Sequence, residues 1–149
     1  MNRMKSVITV VVALAVAGSA VAAEKKIQMK DLPAPVQKAV QQEEAKGATV
    51  KNIIAEKQRG GTVYEVETVV SGHTRDLIFN AAGQVVESEE EIAIDAVPAP
   101  VRAALEASGK VIKVETQTKG GKSIYEAQVE KNGKKSEVAV DATGHRVKP

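Results

Sequence analysis

The feature that most constrains this chain is that part of it is written twice. Asp31-Leu32-Pro33-Ala34-Pro35-Val36-Gln37-Lys38-Ala39-Val40 aligns with Ala96-Val97-Pro98-Ala99-Pro100-Val101-Arg102-Ala103-Ala104-Leu105 at an offset of 65 residues. Gly60-Gly61 aligns with Gly120-Gly121 at an offset of 60, and Tyr64-Glu65 with Tyr125-Glu126 at 61. Asn80-Ala81-Ala82-Gly83 aligns with Asp141-Ala142-Thr143-Gly144, also at 61. The order is kept, and the offset drifts where loops belong. Residues 31–88 and 95–149 therefore read as two copies of one unit.

Each copy carries the same local signals. Pro33 and Pro35 suit the first turn of a helix, where a missing N–H costs nothing, with Asp31 or Leu32 at the cap. Val36, Ala39 and Val40 then make an apolar stripe, as do Val101, Ala104 and Leu105. Gly47 and Gly109 stop the helices. Extended segments follow at 49–57 and 111–118, and Gly-Gly turns them back. In the next strand Tyr64, Val66, Thr68 and Val70 share one face while Glu65 and Glu67 take the other. Tyr125, Ala127 and Val129 alternate with Glu126, Gln128 and Glu130 in the same way. That period of two marks a half-buried antiparallel strand. Ser71-Gly72 and Asn132-Gly133 are hairpin turns. Residues 74–79 and 135–140 form a third strand, with Leu77, Phe79, Val138 and Val140 facing in, and 84–87 adds a short fourth.

The expected fold is thus α+β: two tandem repeats, each one helix packed on an antiparallel sheet of three to four strands. A unit of about 55–60 residues is marginal alone, and the chain has only two Tyr, one Phe and no Trp to fill a core. Tyr64, Tyr125 and Phe79 are accordingly assigned to the core, and the two units are expected to support each other.

Residues 1–22 read as a secretory signal. Arg3 and Lys5 precede the apolar run Val7–Ala17, and Ala20-Val21-Ala22 offers a small-residue cleavage site before Ala23, or next before Glu24. The run is too short to span a membrane, which needs about 20 apolar residues. Removing this segment takes two of the 21 basic residues and none of the 19 acidic ones, so the remaining chain is neutral. Its halves are not. Residues 23–94 hold 9 basic and 12 acidic side chains, net −3, and 95–149 hold 10 and 7, net +3.

The words Leu32-Pro33, Val36-Gln37-Lys38-Ala39-Val40, the Gly-Gly hairpin, Tyr64-Glu65-Val66-Glu67 and Leu77-Ile78-Phe79-Asn80-Ala81-Ala82-Gly83-Gln84-Val85-Val86 resemble the PepSY-like group, also described as β-lactamase-inhibitor-like. The resemblance covers nearly all of the chain after the signal. The second copy departs where Glu137-Val138-Ala139-Val140-Asp141 replaces Asp76-Leu77-Ile78-Phe79-Asn80. The resemblance implies helix-on-sheet units, often in tandem, an exported location and restraint of a peptidase or other hydrolase. It brings over no contact residue.

Chemistry is conspicuous by its exclusions. With no Cys there is no disulfide, thiolate metal site or Cys nucleophile. His73 and His145 sit at non-equivalent places beside turns, without ligand spacing. The chain lacks Gly-x-Ser-x-Gly, Ser-x-x-Lys, His-Glu-x-x-His and a phosphate loop. Neither a cofactor nor nucleic acid is expected, and no membrane anchor after signal cleavage. Two charge clusters remain as candidate partner contacts. Glu87, Glu89, Glu90 and Glu91 lead into an acidic linker at 89–94. Lys131, Lys134 and Lys135 lie in the second copy's last hairpin, where an anionic partner would meet them.

The resulting expectation is a non-enzymatic binding module, periplasmic or secreted, that inhibits or regulates another exported protein such as a peptidase. The competing reading is a small-ligand or metal-ion sensor using a groove between the copies.

Overall fold

The computed structural model describes residues 24–148, so the expected signal at 1–22 lies outside the described residues. The strands are β1 (Glu24–Lys26), β2 (Thr49–Gln58), β3 (Gly61–Val70), β4 (His73–Asn80), β5 (Val85–Glu91), β6 (Lys110–Lys119), β7 (Lys122–Lys131), β8 (Lys134–Asp141) and β9 (Arg146–Val147). Two helices, α1 (Ala34–Ala45) and α2 (Ala99–Ser108), precede β2 and β6. The strands pair strictly in chain order, each antiparallel to the next, in a single nine-stranded sheet.

This overturns the expected arrangement of two units, each with a small sheet of its own. β5 pairs with β6 from Glu87↔Lys119 to Glu91↔Glu115, and the sheet runs on without a break. The segment 89–94, expected to be a solvated linker, contributes Glu89, Glu90 and Glu91 to a strand bonded on both sides. The physical reason is that strand pairing satisfies every backbone donor and acceptor of a segment, whatever its side chains. The carboxylates then need only stay wet or find donors. Gln117 Nε2 supplies two, donating to Glu87 Oε1 at 3.1 Å and Glu89 Oε1 at 2.8 Å. Lys119 Nζ lies 2.7 Å from Glu87.

Both helices pack on the same face. Val36 and Val40 of α1 close over Ile53, Val66, Leu77 and Phe79, with Leu32 beside them and Tyr64 at the margin. Val101 and Leu105 of α2 close over Val114, Ala127, Val129, Val138 and Val140, with Tyr125 at the margin. Phe79 and Leu105 are fully buried, each contributing about 1.5–3 kcal/mol by burial. The helix caps are Pro33 and Pro98, one or two residues later than expected. Asp31 instead ends a 3₁₀ turn and accepts the Gln28 N–H at 3.0 Å.

Turns fix the register. Ser71-Gly72 and Asn132-Gly133 have positive φ at both residues, the geometry that matches strand twist. Gly83 and Gly144 do a second job. A Cβ on either would lie 2.6 Å from a helix-start carbonyl, Pro35 O or Pro100 O, so the turn after β4 and the turn after β8 each seat a helix N-terminus.

Candidate functional site

A sheet covered on one side leaves its other side to explain. Strand alternation puts Ile53, Val66 and Leu77 under the helices, so Asn52, Glu67 and Asp76 face away from them. The register extends this row across the sheet. Asn52 opposes Glu67, Glu67 opposes Asp76, Asp76 opposes Glu89, Glu89 opposes Gln117 and Gln117 opposes Ile124. A second row runs Ile54, Glu65, Ile78, Glu87 and Lys119. A third sets Glu91 opposite Glu115, and Glu115 opposite Glu126. The helix-free face is therefore acidic across β3 to β5, with Ile54, Val63 and Ile78 among the carboxylates, and mixed on β6 and β7, where Lys113, Lys119 and Lys122 stand among Glu115 and Glu126.

Most of these side chains are half-buried by their neighbours, and their ionisation shows it. Burial pushes the Glu65 carboxyl up to about 7, helped by the negative charges of Asp76, Glu67, Glu89 and Glu24. Burial, with Glu67, Glu89 and Glu115, pushes Asp76 up to about 6, against a hydrogen bond from the Thr68 backbone. Glu89 and Glu126 are also raised, chiefly by burial. Neighbouring carboxylates add to the rise in Glu126, as they do in Glu89, where the Gln117 hydrogen bond opposes it. Among the described residues, no Lys, Arg or His nitrogen lies within 4.0 Å of a carboxylate oxygen of Glu65, Glu67, Asp76, Glu89 or Glu126.

The candidate contact residues divide on this geometry. Glu87, Glu89 and Glu91 belong to the helix-free face. Glu90, between them, points to the other side, opposite Arg75. Arg75 itself is held by Glu43 of α1 at 2.9 Å. Lys131 and Lys134 flank the β7–β8 turn on the helix side, and Lys135 follows them on the helix-free face, opposite Glu130; all three are exposed. Glu65, Glu67, Asp76, Glu115 and Glu126 were not singled out as contacts from sequence. Their shared parity was the signal available, because strands alternating apolar and acidic must collect their acids on one face.

The two histidines stay at turns. His145 Nδ1 is 2.7 Å from Thr143 Oγ1, whose hydroxyl is 2.6 Å from Asp141 Oδ1. A catalytic set would place the carboxylate on the far ring nitrogen. Here it grips the hydroxyl and two backbone N–H groups, which clasps the turn. Among the described residues, no group of three or more His, Cys, Asp or Glu is placed to hold a metal ion. No helix among them is long and apolar enough to cross a membrane. A groove of about 540 Å³ opens at the Gly60-Gly61 end of the helix-free face, lined by Gln58, Val63, Ile78, Val86, Glu87 and Lys119 among others.

No family model and no curated protein matches the chain. Solved structures do match it. A DUF2874 family protein from Bacteroides ovatus aligns over 78% of this chain and 85% of its own, with 19% identity and a TM-score of 0.57. A proposed periplasmic protein from Bacteroides eggerthii aligns over 78% and 86%, with 22% identity and a TM-score of 0.60. A BLIP-like protein from Bacteroides fragilis aligns over 76% and 84%, with 22% identity and a TM-score of 0.53. At these identities the likeness is one of fold: the chain shares the architecture of the BLIP-like and DUF2874 proteins.

Proposed function

We propose that this chain is a non-enzymatic exported binding module that docks another protein on the helix-free face of its sheet. The observation that carries the reading is the face itself. It spans the width of the sheet, no described helix packs on it, and it gathers charged and apolar side chains from at least five strands. Such a surface suits a protein partner, since a standard interface takes about 800 Å² from each side. Export is supported by the signal-like segment 1–22 and by the fold shared with a proposed periplasmic protein. The BLIP-like neighbour, together with the resemblance drawn from the sequence, favours an exported peptidase or other hydrolase as the protein regulated.

The test is affinity capture from an extract of exported proteins, with partners identified and then purified. A partner whose binding is lost in Asp76→Arg but kept in Lys38→Glu, on the exposed side of α1, supports the reading. A folded bait that captures nothing, or a partner indifferent to Asp76→Arg, overturns it.

A further inference from the structure

Resting on the docking-face reading above, we propose that the partner presents a Lys- and Arg-rich surface to this face.

The register carries the inference. Glu67, Asp76 and Glu89 stand directly opposite one another on three adjacent strands. Glu91, Glu115 and Glu126 do so on β5, β6 and β7. Like charges directly opposed across strands cost stability, and opposite charges gain it. The chain uses the favourable choice one row away, where Glu87 faces Lys119, so the unfavourable one is not forced by the fold. Two cations on this face are already engaged, and its others among the described residues, Lys26, Lys110, Lys122 and Lys135, stand off the Glu67, Asp76 and Glu89 row. Lys119 lies 2.7 Å from Glu87, and Lys113 lies 2.5 Å from Glu115.

The energetics then select the partner. A neutral or anionic surface would strip water from Glu67, Asp76 and Glu89 and return nothing, which is strongly unfavourable for a buried charge. A cationic surface replaces the mutual repulsion with attraction while Ile54, Val63 and Ile78 supply apolar contact. Complementary potentials also speed encounter and reject wrong partners. A lone metal ion is the poorer occupant, because among the described residues these carboxylates are not grouped as ligands.

The experiment is titration calorimetry of the chain without residues 1–22, using deca-lysine and deca-glutamate peptides as probes at pH 8 and low salt. Deca-lysine binds and deca-glutamate does not. In Asp76→Asn/Glu89→Gln, the deca-lysine affinity falls by about tenfold or more. In Glu44→Gln/Glu106→Gln, which removes the same charge from the exposed sides of the helices, it is unchanged. Equal losses in the two double variants would overturn the inference, as would a second copy of the chain found seated on the face. Thermal melts confirm that both variants fold. Failure here is separable from failure of the docking-face reading. A captured partner that needs Asp76 but carries no Lys/Arg cluster refutes the inference and leaves the reading standing.

Discussion

Glu67 and Asp76 stand directly opposite each other on β3 and β4, on the side of the sheet away from both helices. Neither has a cation within ion-pair distance among the described residues. Two carboxylates facing across a strand pair work against the fold. Asp76→Asn removes that repulsion and keeps an oxygen for the Thr68 backbone N–H. It should stabilise the chain by about 0.5–1 kcal/mol. Thermal unfolding at pH 8 checks this, and a lower midpoint in the variant would contradict it.

The same crowding sets a pH dependence. The folded values of Glu65 and Asp76, about 7 and about 6, lie above their ordinary 4.5 and 3.8. Between those limits the folded chain holds protons that the unfolded chain has released. The associated stability is therefore fully present near pH 4 and is lost as pH climbs through 6 to 7. Glu43 and Asp141, whose values are lowered, act the opposite way but only at more acidic pH. The melting temperature should be higher at pH 5 than at pH 8, and the difference should shrink in Glu65→Gln/Asp76→Asn. After allowance for solvent screening the effect is about 1–2 kcal/mol.

Gly83 and Gly72 separate two costs of replacing a turn glycine. Both have positive φ, +78° and +85°, so alanine strains each by about 1–2 kcal/mol. At Gly72 the new Cβ meets open space, whereas at Gly83 it lies 2.6 Å from Pro35 O. Gly83→Ala should therefore destabilise clearly more than Gly72→Ala in urea unfolding, because it also unseats the start of α1. Equal losses would refute the role assigned to that contact.

Ser88 tests the continuity of the sheet. It sits inside β5, opposite Leu77 on one side and Thr118 on the other. Proline there removes a ladder hydrogen bond in an interior strand and should cost about 3 kcal/mol or more. The loss should appear as faster amide exchange in both β4 and β6. An effect confined to β4 would contradict the single sheet.

Much of this architecture was legible in the residues. The Pro33/Pro35 and Pro98/Pro100 pairs announced the helices, Ser71-Gly72 and Asn132-Gly133 announced the hairpins, and the parity of Val66, Leu77 and Phe79 announced the core face. The single sheet was not legible. Ser88 and Glu90 of β5 face Thr118 and Thr116 of β6, and a strand polar on both faces has no hydrophobic period to reveal it. Backbone pairing holds it all the same. The site was half legible for a related reason. Glu87 to Glu91 look like one cluster along the chain, but alternation sends Glu90 to the helix side. Its replacements, Glu67 and Asp76 among them, come from distant segments that only strand register brings together.

The central claim is that partners dock on the helix-free face, and adjacent residues of one strand test it most directly. A photo-crosslinking amino acid is placed at Glu89, on that face, or at Glu90, on the helix side. The two variants are then compared for crosslinks in cells. The account predicts a partner crosslinked from position 89 and little or none from position 90. Crosslinking mainly from position 90 would contradict it.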